Sequence, residues 1–106
     1  MPVADTPDPP YVAVIFTTER SDDHDGLDET DARLMELVRT QPGFLGVESV
    51  AGTEAGITVS YWVTAEDARA WKRVAEHEAA QRLGRHRWFR RYRVRVTTVD
   101  REYGSA

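Results

Sequence analysis

The chain has 106 residues, of which 41% are hydrophobic and 30% charged, with a formal net charge of -4. That length suits one small domain with one core and leaves no room for a second. The sequence holds no cysteine, which excludes disulfides, thiolate catalysis, zinc–thiolate sites and iron–sulfur clusters.

Met1 to Pro10 carries Asp5, Asp8 and four prolines (Pro2, Pro7, Pro9, Pro10). It reads as an extended lead. It lacks the basic start and apolar stretch of a secretory signal, so a cytoplasmic location is expected. No apolar run approaches the length of a membrane span. Tyr11 to Thr18 (YVAVIFTT) is rich in β-branched and aromatic residues and predicts a strand. Its apolar residues lie on both faces, which places it in the middle of a sheet. Ser21 to Gly26 (SDDHDG) resembles a calcium loop, but the twelfth position is Ala32 where a bidentate glutamate is needed, so it reads as a solvated turn.

Leu27 to Thr40 predicts a helix, with Leu27, Leu34, Leu37 and Val38 on one stripe. Pro42-Gly43 stops it. Phe44 to Ala51 predicts a second strand, Gly52 to Gly56 a turn, and Ile57 to Val63 a third strand. In the third strand Ile57, Val59, Tyr61 and Val63 share one face, and Thr58, Ser60 and Trp62 the other. Thr64 to Asp67 has capping-box spacing and opens a second helix running to about Leu83, with Gly84 at its end. Ala68, Trp71, Ala75 and Ala79 form its inner stripe. His86 to Arg90 is a connector, and Arg91 to Val99 (RYRVRVTTV) the last strand.

The order strand–helix–strand–strand–helix–strand is the ferredoxin-like split βαβ pattern, an α+β fold. Right-handed crossovers put the first and third strands at the centre of a four-stranded antiparallel sheet with two helices on one face. Residues 1–10 form the lead, 11–100 the domain and 101–106 a tail. Two helices cover only one face, and the first strand is apolar on both. Uncovered aromatics forfeit roughly 2 kcal/mol each, so the second face predicts a homodimer, sheet against sheet. The alternative is a monomer whose own ends fold across that face. Trp62 is expected to fill the dimer interior and Tyr61 to lie in the core.

Charge is uneven. Residues 1–36 hold ten acids against Arg20 and Arg33, whereas 79–99 hold no acid and seven arginines. Pairing between the halves, or simple solvation, accounts for this better than nucleic-acid binding, since the whole chain is acidic and no nucleic-acid motif is present.

The segments YVAVIFTTER, QPGFLGVESV and ITVSYWVTAEDARAWKRVAEH resemble the antibiotic biosynthesis monooxygenase family over about Tyr11 to Val99. The resemblance rests most on Gln41-Pro42-Gly43-Phe44-Leu45-Gly46 and on Tyr61-Trp62, Trp71 and His77. It implies a dimeric α/β barrel of ferredoxin-like subunits. It also implies, for some members, oxidation of small hydrophobic or aromatic molecules without metal or flavin, and for others haem binding or degradation. Haem-degrading relatives use an Asn on the first strand and an axial His beyond the helix Trp. Here Tyr11 to Thr18 has no Asn and the matching position is Gln81, so haem loses its main support.

The expected function is therefore a cofactor-independent monooxygenase of a small hydrophobic or aromatic molecule, with no cofactor, metal, nucleic-acid or membrane partner. The alternatives are a non-catalytic small-molecule or haem-binding module, and a haem-degrading enzyme. His77 is the candidate base because imidazole titrates near neutrality. Trp71 and Tyr61 are candidate pocket walls, and Arg82 a candidate contact for an anionic substrate. Each has a structural alternative: surface histidine, core tryptophan, core tyrosine and solvated arginine. His24 and His86 read as exposed, and no histidines pair with carboxylates at ligand spacing.

Overall fold

The computed structural model describes residues 2–83 and 87–105. Among them the chain forms β1 (Tyr11–Arg20), α1 (Leu27–Val38), β2 (Phe44–Ala51), β3 (Ala55–Trp62), α2 (Ala65–Leu83) and β4 (Phe89–Val99). The sheet is antiparallel in the order β2-β3-β1-β4, the ferredoxin-like arrangement its element order predicts. Gly84 and His86, given roles above, lie outside the described residues.

Pairing of Val12 with Trp62 and of Phe16 with Thr58 fixes which side chains share a face. Both helices pack on the side that holds Trp62. Val38 of α1, Ala68 of α2 and Trp62 are buried together, with Val12, Val14, Met35, Phe44, Val47 and Trp71 against them. Trp62 has no exposed surface at all, and its indole Nε1 donates to Ser60 Oγ at 2.9 Å. The expectation that Trp62 fills a dimer interior is thus corrected: it is the centre of the helix-covered core. Tyr61, its neighbour in β3, points to the opposite face.

The QPGF segment has a local explanation. Gln41 Nε2 donates at 3.1 Å to Leu37 O, a carbonyl at the end of α1 that also accepts from Thr40 N and Thr40 Oγ1. Gly43 takes φ 77°, a conformation that side chains other than glycine resist. A Cβ there would collide with the Asp67 carboxylate. Phe44 then sets its ring edge-on to Trp62, 5.7 Å between centroids. Thr64 caps α2 as its spacing predicts. Its Oγ1 accepts from Asp67 N at 3.1 Å and donates to Asp67 Oδ2 at 2.9 Å. Asp67, shorter than the usual Glu or Gln, accepts a hydrogen bond from the Thr64 hydroxyl in place of the Thr64 backbone N–H.

The side without helices carries Tyr11, Ala13, Ile15, Val59, Tyr61 and Glu48. The chain's own ends cover part of it. Ala4 N donates to Glu48 Oε2 at 3.0 Å, and Ala4 lies so close to Gly46 that an added Cβ would sit 2.8 Å from Ala4 Cβ. Tyr11 OH donates to Glu102 Oε2 at 2.6 Å, and Thr6 Oγ1 donates to the same oxygen at 2.7 Å. Tyr11 is buried as a result, whereas Val50, Ile57 and Val63 stay at least half exposed.

The acidic and basic halves meet through Arg90, which pairs with Asp22 at 3.2 Å. Arg20 pairs with Asp31 at 3.8 Å within the acidic half, and Glu78 bridges Arg33 and Arg82 between the helices. Arg91, Arg93 and Arg95 are exposed.

Candidate functional site

The helix side of the sheet holds two aromatic groups at opposite ends. One is closed. Trp71 stacks on Trp62 with centroids 6.2 Å apart and planes 26° apart, and Phe44 seals the edge. Trp71 therefore serves the core first, the structural alternative for this residue.

The other group is open. Phe16 meets Phe89 edge-on at 5.8 Å and lies 5.8 Å from the tilted ring of Tyr92. Alternation along β4 brings Tyr92, Val94 and Val96 onto this side, where they stay 62%, 42% and 59% exposed because the helices do not reach that strand. Beneath the rings is a cavity of about 30 Å³, lined among others by Phe16, Thr18, Arg20, Asp31, Thr58 and Phe89.

Its polar lining comes from β1 and α1. Thr18 is buried and its hydroxyl donates weakly to Gly56 O at 3.4 Å. Arg20 continues the alternation Phe16, Thr18, Arg20 and turns its side chain inward, leaving 13% of it exposed. Its Nε is buried and has no hydrogen-bond partner among the described residues. Its terminal nitrogen stands 3.8 Å from Asp31 Oδ2, an ion pair too long for a hydrogen bond. Partial burial raises the Asp31 carboxyl above its ordinary range; Arg20 pulls it down and Asp28 pushes it up. Arg20 also borders a larger polar basin of about 530 Å³ with His24, Glu54 and Arg90.

Trp88 holds this end together. It is buried, its indole donates to Asp25 O at 2.6 Å, and it packs against Gly26, where φ 78° starts α1. Ser21 N in turn donates to Trp88 O at 2.8 Å.

The residues singled out from sequence are not brought together. His77 is exposed on α2, 3.2 Å from Gln81 Nε2. Arg82 Nε donates to Glu78 Oε1 at 2.9 Å and is committed to the helix–helix bridge. Tyr61 is on the other face of the sheet, where its hydroxyl donates to Glu48 Oε1 at 2.5 Å and its ring meets Tyr11 edge-on at 5.7 Å. Burial first, then the hydrogen bond to Glu48, push its phenol well above the ordinary value. Arg20, Asp31 and Phe89, which line the small cavity, were not singled out from the sequence; the period-two run from Phe16 through Thr18 to Arg20 carried a signal for Arg20 alone. Among the described residues no group of three histidines or carboxylates could hold a metal, and no helix is long and apolar enough to cross a membrane.

The fold is similar to that of several solved structures. A mutant form of SnoaB, a cofactor-independent oxygenase of Streptomyces nogalater, matches with TM-score 0.70 at 11% identity, over 90% of this chain and 98% of that one. The ActVA-Orf6 monooxygenase of Streptomyces coelicolor, in complex with nanaomycin D, matches with TM-score 0.67 at 15% identity, over 92% and 94%. In sequence the chain is 48% identical to the uncharacterised protein YqjZ of Bacillus subtilis over 98 residues, 92% of this chain and 86% of that one. Residues 10–83 match the antibiotic biosynthesis monooxygenase family, and the chain belongs to that family.

Proposed function

We propose that this protein is a cofactor-independent monooxygenase of a small hydrophobic or aromatic molecule, and that the molecule binds in the helix-side cleft at Phe16, Phe89 and Tyr92. The observation that carries the reading is the aromatic group itself. Its rings pack on one another, present apolar surface outward, and stand beside a largely buried cation and a carboxyl. Such a site orients an electron-rich ring and excludes water from one of its faces. Family membership and the monooxygenases of like fold support the same reading.

The chemistry asked of the chain is small. A phenol or enol must be held and lose a proton, and its anion can then pass an electron to oxygen. Asp31 is the nearest group able to take a proton, and the guanidinium of Arg20 favours the anion that results. In this reading His77 and Arg82 lie outside the chemistry and Trp71 belongs to the core at the opposite end of the sheet.

Oxygen uptake with a panel of phenols and anthrones tests the proposal. Turnover is expected with at least one, reduced about tenfold or more in Phe16→Ala and unchanged in His77→Ala. Full loss in His77→Ala with Phe16→Ala active would move the site to α2. Saturable binding without oxygen uptake would make the protein a binding module, and a Soret shift with haemin would favour a haem protein. We further propose that the protein is a homodimer, closed through Ile57, Val59 and Val50 on the side without helices.

A further inference from the structure

We propose that Arg20 anchors the oxygen of an aromatic oxyanion, a phenolate or an enolate, at the floor of the helix-side cleft. The inference rests on the reading of that cleft as a small-molecule site and adds the charge and the atom that the ligand presents. Three features of the structure carry it. The Nε–H of Arg20 is buried with no acceptor among the described residues, and a buried donor on a charged group is costly until it is paired. Asp31, the carboxylate nearest the guanidinium, stands at 3.8 Å and leaves donors unspent. The cavity that Arg20 lines, at about 30 Å³, has the size of an oxygen-bearing group and not of a ring.

The ring then has one place to go. Phe16 pairs with Val94, and Thr18 with Tyr92, across β1 and β4, so the exposed apolar strip of Tyr92 and Val94 begins where the cavity ends. A phenolate with its oxygen on Arg20 lays its ring against Phe16 and that strip. Bringing the anion in also sets it against Asp31, which competes for the same cation. The outer basin that Arg20 also borders sets Glu19, Asp22 and Glu54 against Arg90, which pairs with Asp22; Glu19 and Glu54 disfavour entry of the anion from there.

The test uses two probes of one shape, 4-nitrophenol and its methyl ether 4-nitroanisole, titrated against the full chain in mildly alkaline buffer. Wild type should bind the phenolate about tenfold more tightly than the ether, and the ionisation midpoint of bound 4-nitrophenol, read from its absorbance, should fall below that of the free phenol. Arg20→Gln should abolish both differences and leave ether binding in place. Asp31→Asn should tighten phenolate binding severalfold by removing the rival. Arg20→Lys keeps the charge without the planar fork; it should retain part of the midpoint shift, and it carries the test if Arg20→Gln does not fold. Equal affinity of wild type for the two probes overturns the inference while the cleft reading stands. A folded Arg20→Gln that weakens both probes alike does the same, since that is what a structural role predicts. Failure of wild type to bind either probe removes the cleft reading and the inference together.

Discussion

Single residues decide how the two ends of the helix side differ. Trp62 and Gly43 show this at the closed end. Trp62→Ala would empty the centre of the core, a loss of about 3–5 kcal/mol for so large a side chain. Gly43 is subtler, since nothing polar is lost on replacing it. Gly43→Ala must hold a left-handed backbone at about 1–2 kcal/mol and displace the Asp67 carboxylate, which occupies the place of the new methyl. We expect Gly43→Ala to lower the unfolding free energy by about 2 kcal/mol or more, with Asp67→Ala restoring part of it, as read by chemical denaturation. The sequence marked both positions, through the Pro-Gly stop and through aromatic content. It did not reveal which face of β3 the helices would take, because Tyr61 and Trp62 are neighbours of similar bulk. Burial on one side or the other turned on Ser60, whose hydroxyl serves the indole, and on Glu48, whose carboxylate serves the phenol.

At the scale of elements, strands and helices were legible because their periods are strong, and boundaries moved by only a few residues. β4 begins at Phe89 and not at Arg91, since Phe89 pairs with Arg20 past an irregularity in the ladder. That extension is what brings Phe89 onto Phe16 and makes the open aromatic group. Composition hid it: Trp88 and Phe89 sit in an arginine-rich stretch that reads as a connector, and their tertiary partners at Asp25 and Phe16 are more than sixty residues away. The extended lead is tied down by its clasp on Glu102. Hydrogen bonds from Tyr11 and then Thr6 hold the Glu102 carboxyl below its ordinary value of 4.5. A carboxyl depressed on folding contributes stability above its unfolded value and loses it as pH falls through the folded one. The lead should therefore loosen as pH falls below 4.5, with protection of the Ala4 amide, taken relative to its intrinsic exchange rate at each pH, falling before that of the sheet. In Glu102→Gln the part of that acid dependence due to the clasp should vanish.

For the whole molecule, the question is what covers the side without helices. The ends shield its Tyr11 corner, so part of the expected cover is supplied by the chain itself. Val50 and Ile57 remain outside that shield at 62% and 50% exposure, with Ile15 and Val59 between. Burying an exposed valine or isoleucine contributes about 1.5–3 kcal/mol, enough over several residues to favour association. Sedimentation at micromolar concentration should give a dimer, and Ile57→Asp should give a monomer with the same circular dichroism. A wild-type monomer would mean that the lead and tail suffice. The face was predicted from the sequence as apolar. In the structure Val12, Phe16 and Trp62 belong under the helices, and the opposite face carries Ile15, Val59 and Tyr61 together with Arg91, Arg93 and Arg95 of β4.

The clasp that joins Thr6 to Glu102 has one more consequence. Two positions separated by nearly the full length of the polypeptide stand within hydrogen-bonding reach, so the backbone traces an almost closed circuit. Its points of departure and arrival are then interchangeable with other exposed bends. A rearranged gene that bridges 102 to 6 and opens the β2–β3 turn at 52–54 would thread the same sheet in a different order.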